Sequence, residues 1–141
     1  MHRRASAHWE GGIEGGGGTL STTSGVLDDT PYGFSDRFEE GPNTNPEELI
    51  GAAHAGCYAM ALSGVLEEAG MTPESLDVTA DVTLEKKGEG FEVTAVYLDL
   101  RARIPGADEA TFLEAADGAK EGCPVSKLLN AETTLDAHLE G

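Results

Sequence analysis

Cys57 and Cys123 are the only cysteines among the 141 residues, and each stands where a thiol can react. Cys57 lies inside a nearly uncharged, helix-like run from 46 to 62, and Cys123 immediately precedes Pro124. Brought together by the fold, they form a dithiol that opens and closes, as either a structural or a catalytic bond. A cysteine attacks as its thiolate, so a cation, a helix N-terminus or a basic neighbour must lower its pKa from about 8.5. If Pro124 opens a helix, Cys123 sits at the positive end of that helix's dipole. Cys57, deep in its own helix, has no such device nearby, and its activating charge must come from elsewhere.

Cations are scarce. Between Arg4 and Lys86 the only Lys or Arg is Arg37, just ahead of the long helix-like run. Glu47 or Glu48 could fix its guanidinium as a bidentate pair, or Arg37 could form an ordinary solvated surface pair worth little. His54 competes as activator, since three residues before Cys57 puts it on the same helix face. A His-Cys pair serves as a nucleophile with its base or as half of a metal site, whereas a lone His in an apolar helix also serves as a satisfied core residue. The other zinc ligands available, Cys123, His8 and His138, are scattered without ligand spacing, so no metal and no cofactor is expected.

The elements that must position these residues follow from the rest of the chain. At this length one domain, 1–141, is expected, burying roughly 68% of the surface the unfolded chain exposes. With 26 acidic residues against 9 basic ones, the formal charge is −17. That excludes nucleic acid, which is bound by neutralising phosphates, and disfavours anionic membranes and anionic substrates. Neutral or apolar substrates escape the repulsion. Arg3 and Arg4 are followed by no apolar run, so a secretion signal is not expected. The apolar stretch from 49 to 66 reaches the lower limit for a membrane span, about 18 residues. It is rich in Ala and Gly, contains His54 and Ser63, and is flanked by Glu47, Glu48, Glu67 and Glu68, which reads as a buried central helix. A cytoplasmic location is expected, where a disulfide is more often transient than structural.

Residues 5 to 38, rich in Thr, Ser and Gly, predict two or three antiparallel strands with residues 15 to 18 as the first connection. Those four glycines lack the Gly-Lys-Ser/Thr ending and the strand-then-helix setting of a phosphate loop. Asn45 as N-cap, Pro46 at the first helical position and Glu48 completing a capping box predict a helix start. Gly70 supplies its left-handed stop. Residues 75 to 86 and 91 to 104 alternate as a hairpin. Residues 108 to 121 predict a second helix with Phe112, Leu113 and Ala116 inward. A short third helix opens at Cys123-Pro124 and ends near Asn130, and residues 133 to 139 predict a final strand. The class is α+β, without repeats or linkers.

The stretches Pro31-Tyr32-Gly33-Phe34, Arg37-Phe38-Glu39, residues 44 to 57 ending in His54-Ala55-Gly56-Cys57, and Gly122-Cys123-Pro124-Val125-Ser126 resemble the OsmC/Ohr family of hydroperoxide reductases, in its OsmC branch. The resemblance runs over nearly the whole chain. It implies an α+β intertwined homodimer, with central helices packed against antiparallel sheets, and a thiol peroxidase working without metal or flavin. By resemblance, Cys57 is the peroxidatic cysteine that becomes a sulfenic acid, and Cys123 resolves it to a disulfide. Arg37 stabilises the thiolate and Glu47 holds Arg37; the family does not fix a role for His54. Organic hydroperoxides are the implied substrates, hydrogen peroxide a poorer one, and an external dithiol of lipoyl type the implied reductant. Ten residues of helix rise about 15 Å and side chains lean toward the N-terminus, so Glu47 points away from its own Cys57. Arg37 and Glu47 are therefore expected to reach back along the helix or to complete the pocket of a second subunit. The alternative is a non-enzymatic relative that binds a small apolar ligand and uses the cysteines only for packing.

Overall fold

Short alternating strands open the chain and one long helix follows. The computed structural model describes residues 1–141, and the chain divides into two compact units, Met1–Leu49 and Ile50–Gly141.

In the first unit β1 (Ala5–Glu10), β2 (Gly17–Thr22) and β3 (Thr30–Tyr32) form an antiparallel sheet in that order. The glycine run divides differently from the sequence expectation: Gly17 and Gly18 belong to β2, paired with Glu10 and Trp9, and residues 11 to 16 make the turn. Gly11 adopts φ +88°, and Gly16 N–H donates to the Gly12 carbonyl at 2.9 Å. Gly18 must be glycine for want of space. A Cβ there would run into the His8 carbonyl and come 2.8 Å from both Trp9 Cε3 and Tyr32 Cε1. Those rings meet edge to face, centroids 5.5 Å apart.

A single 3-10 turn, Ser35–Arg37, leads to α1 (Pro46–Glu68). Asn45 caps the helix as the sequence predicts, its Oδ1 accepting from Glu48 N–H at 2.8 Å, while its Nδ2 donates to the Asp36 carbonyl at 2.9 Å. One amide thus binds the helix start to the turn that carries Arg37. The carboxylate of Glu48 accepts from the Thr44 hydroxyl at 2.8 Å, so Glu48 serves Thr44 in place of the reciprocal half of a capping box.

In the second unit α1 buries one stripe, Gly51, His54, Tyr58, Leu62 and Leu66, at the three- and four-residue spacing of a helix face. Gly51 brings the helix close to β4 (Ser75–Lys87): a Cβ there would lie 3.4 Å from the Ala80 carbonyl and from Val82 Cγ2. Gly70, at φ +80°, ends the helix; its N–H bonds the Glu67 carbonyl and Met71 N–H bonds Leu66, the paired bonds of a Schellman cap. α1 is long and apolar enough to cross a membrane by length and composition. The expectation of a helix buried all round is not met within one chain: Ala52, Ala53, Gly56, Met60 and Gly64 are exposed, Met60 at 78%. Both faces are apolar, and only one has a sheet to pack on.

β4 and β5 (Gly90–Arg103) form the expected hairpin through a turn at Gly88, φ +62°. α2 (Glu109–Gly122) and the short α3 (Pro124–Leu128) cross over to β6 (Glu132–Glu140), which pairs with β5 in parallel. The sheet order is β4-β5-β6. It is therefore mixed rather than wholly antiparallel, because the helical crossover returns the chain in the direction of β5. The core joins Tyr58, Leu62 and Leu66 of α1 to Val96, Leu98 and Leu100 of β5 and to Phe112, Ala115, Ala116 and Ala119 of α2. Leu113, expected inside, is 44% exposed, since it is one residue round from Phe112 and the inward stripe continues through the alanines. Leu62→Ala is expected to cost roughly 2–5 kcal/mol and Leu113→Ala less than about 1 kcal/mol in urea unfolding; equal losses would refute this division between core and surface.

Candidate active site

Cys123 occupies the joint between two helices. Its N–H closes α2 on the Ala119 carbonyl at 2.9 Å, its own backbone is extended, and Pro124 begins α3, as the sequence predicts. The α3 helix ends at Leu128, short of the expected Asn130. Cys123 is fully buried and Cys57, on α1, half-buried; both are free thiols, and each bears on the other's proton affinity. The fold thus brings the two thiols near one another.

The environment divides the pair. Burial pushes Cys123 up, but the nearby polar groups Ser126 N–H, the Cys57 thiol, the Ser126 hydroxyl and Val125 N–H favour its thiolate, outweigh burial and hold Cys123 below the ordinary thiol range. Cys57 is pushed up, first by burial and then by the neighbouring sulfur, with only Val125 N–H acting the other way. The surroundings therefore favour loss of the first proton from Cys123 over Cys57. Backbone donors in the first turn of α3 make Cys123 the more acidic thiol, as its place before Pro124 implied.

His54 is fully buried, and its Nε2 lies 2.8 Å from Ser126 Oγ. Burial lowers its pKa, and Nδ1 is buried without a partner. Tyr58 donates its hydroxyl to the Ala116 carbonyl at 2.9 Å, and its pKa is pushed up by burial, then by Asp117 and Cys123. Ser126 is the residue that sequence reasoning passed over. The available signal was its place three residues after Cys123, where a first-turn donor faces the cap position.

In the first unit Arg37 Nε lies 3.2 Å from Glu47 Oε1, with side chains only 28% and 13% exposed. Glu47, not Glu48, is thus the partner. The pair borders a cavity of about 360 Å³ lined by Trp9, Ile13, Tyr32, Phe34, Arg37 and Pro46, and the guanidinium lies 6.0 Å from the Phe34 ring centre. The remaining histidines sit apart: His8 is 3.5 Å from Glu10, and His138 is 3.1 Å from Asp136. Asp99, Asp136 and His138 bring potential ligand atoms within 4.8 Å of one another. Arg101 already pairs with Asp99 at 3.1 Å and Tyr97 donates to Asp136 at 3.1 Å, an ion-pair network rather than an open ligand set.

Comparison with known proteins gives consistent matches. The family model described as OsmC-like protein matches residues 39–138. Peroxiredoxin OsmC of Escherichia coli is 55% identical over 140 residues, covering 99% of this chain and 98% of that protein. The organic hydroperoxide resistance protein of Xanthomonas axonopodis pv. citri is 30% identical over 98 residues, 67% of each chain. Among solved structures, an organic hydroperoxide resistance protein OsmC from Legionella pneumophila superposes with a TM-score of 0.71 at 27% identity, covering 100% of this chain and 98% of that one.

Ultraviolet titration of thiolate absorbance checks the division of the thiols. The reduced chain should release one thiol proton below the ordinary range and the second above it. Cys57→Ala removes a donor and should move Cys123 upward; Cys123→Ala removes the competing charge and should move Cys57 downward. Two identical titrations in the single variants would refute it.

Proposed function

This chain belongs to the OsmC-like protein family, and on that premise we propose that it is a thiol peroxidase that reduces organic hydroperoxides in peroxide stress. The observation that carries the proposal is the pair of free thiols, Cys57 and Cys123, near enough for each to shift the other's proton affinity. The Cys57 thiolate attacks the peroxide: an S–O bond forms as the O–O bond breaks, and the alkoxide leaves as the alcohol. Cys123 then displaces hydroxide from the Cys57 sulfenic acid, forming the disulfide and water. An external dithiol, of lipoyl type, restores the two thiols by exchange. Hydrogen peroxide is the poorer substrate.

Cys57 starts as the less acidic thiol, so the reaction calls for a cation. Arg37, held by Glu47, supplies it and orients the peroxide; the apolar cavity beside Arg37 suits a substituent larger than hydrogen. Ten residues of helix rise about 15 Å, so the pair serves the Cys57 of a second copy. The exposed apolar face of α1, with Met60 and its small residues, supports a homodimer that covers it. The family match runs through Leu49, where the two units divide, which supports 1–141 acting as one domain. The two free thiols suit the reducing cytoplasm.

In stopped-flow assays the reduced protein should consume cumene hydroperoxide, and Cys57→Ser should abolish this; undiminished consumption by Cys57→Ser would end the proposal. Arg37→Ala should slow consumption on the order of 100-fold. Mixing Cys57→Ser and Arg37→Ala chains should restore about half the active sites in hetero-dimers if the pair acts across the interface, and complete loss would place it in cis. The cavity also favours a second reading, a binder of small apolar molecules. Intact mass after one equivalent of peroxide separates the two: loss of two hydrogens marks the enzyme, and unchanged mass the binder.

A further inference from the structure

Ile13 is out of character for its place. It stands in the glycine-rich turn between β1 and β2, where polar residues and glycine are usual, and it is 62% exposed. The same side chain lines the cavity of about 360 Å³ beside Arg37. The turn around it is tied on both sides. The Trp9 indole N–H donates to the Gly11 carbonyl at 3.0 Å, and Gly16 N–H donates to the Gly12 carbonyl at 2.9 Å. Trp9 is itself a wall of the cavity, edge to face with Tyr32, so one indole both anchors the turn and builds the space that Ile13 borders. Ile13 is thus a stiff, β-branched side chain on a held turn, and most of its surface is left for another molecule to cover.

The rest of the lining indicates the kind of molecule. Arg37 is its only charged residue, and the rings of Trp9, Tyr32 and Phe34 make up most of its remaining side chains. That lining fits a molecule with one small polar group and one compact apolar substituent. We propose that Ile13 is a specificity-determining residue, covering the substituent of an organic hydroperoxide whose peroxide group lies at Arg37, and so favouring branched or aryl hydroperoxides over hydrogen peroxide. The proposal rests on the peroxidase reading and deepens it by assigning the discrimination to one side chain. Contact between Ile13 and the substituent removes apolar surface of both from water. Hydrogen peroxide has no substituent and gains nothing from that contact.

Ile13→Ala tests this, with Ile13→Leu as the conservative control. For cumene hydroperoxide kcat/KM should fall about tenfold in Ile13→Ala, whereas for hydrogen peroxide it should stay within about twofold. The loss should lie in KM, because the substituent is touched equally before and during O–O cleavage. Ile13→Leu should keep the parental preference, and the urea midpoint of Ile13→Ala should not move, since the side chain is exposed. Equal losses for the two peroxides, or no loss for either, overturn the proposal. Trp9 is the only tryptophan in the chain, so the cavity can also be read without turnover. Cumyl alcohol should shift Trp9 emission saturably, and Ile13→Ala should raise the concentration for half-saturation about tenfold. If the parent consumes no peroxide, the peroxidase reading fails and this titration still measures the contact. No saturable shift in the parent, or an unchanged half-saturation in Ile13→Ala, overturns it.

Discussion

Cys57 and Cys123 lie near enough to shift one another's proton affinity, and they are shifted in opposite directions. Burial raises both and Cys123 raises Cys57 further, whereas Cys57 and the polar groups of Ser126 and Val125 lower Cys123. The backbone at the start of α3 favours Cys123. Any chemistry that begins at Cys57 must overcome that preference with charge from another part of the protein or from a second copy of the chain. The sparse distribution of cations makes the location of Arg37 consequential, because only one Lys or Arg stands between Arg4 and Lys86.

The fold meets this constraint with two anchored positions. Cys57 is fixed because α1 is pinned along its buried stripe, from Gly51 against β4 to Tyr58 bonded to the Ala116 carbonyl. Cys123 is fixed because it ends one helix and begins the next, so its backbone is held from both sides. Neither sulfur rides on a free loop. Under the proposed mechanism, a disulfide between them would open and close with the surrounding helices as its frame.

Much of this was legible locally. Asn45, Gly70 and the Gly88 turn each announce themselves through side-chain or backbone preferences that need no distant partner, and the structure places all three as expected. The thiols and the Arg37 carboxylate partner were narrowed by residue type, and the 3.2 Å pair selects Glu47 over Glu48. What escaped depends on contacts far along the chain. Gly18 joins a strand because Trp9 and Tyr32 cover it, and Leu113 turns outward because the alanine stripe fits the core. The parallel course of β6 follows from a crossover, and the Ser126 hydroxyl meets His54 from 72 positions away. Periodicity reports a face; it does not report what lies opposite.

The two-sided amide of Asn45 couples motions that would otherwise be separate. By holding Glu48 N–H with its oxygen and the Asp36 carbonyl with its nitrogen, it joins the first turn of α1 to the turn bearing Arg37. Helix ends are the least protected part of a fold and open before the core does. When this end frays, the carboxylate of Glu47 and the guanidinium of Arg37 lose their mutual alignment together, while the core around Leu62 stays closed. Loss of the Asn45 cap would therefore release the Arg37–Glu47 pair from the helix end as a unit.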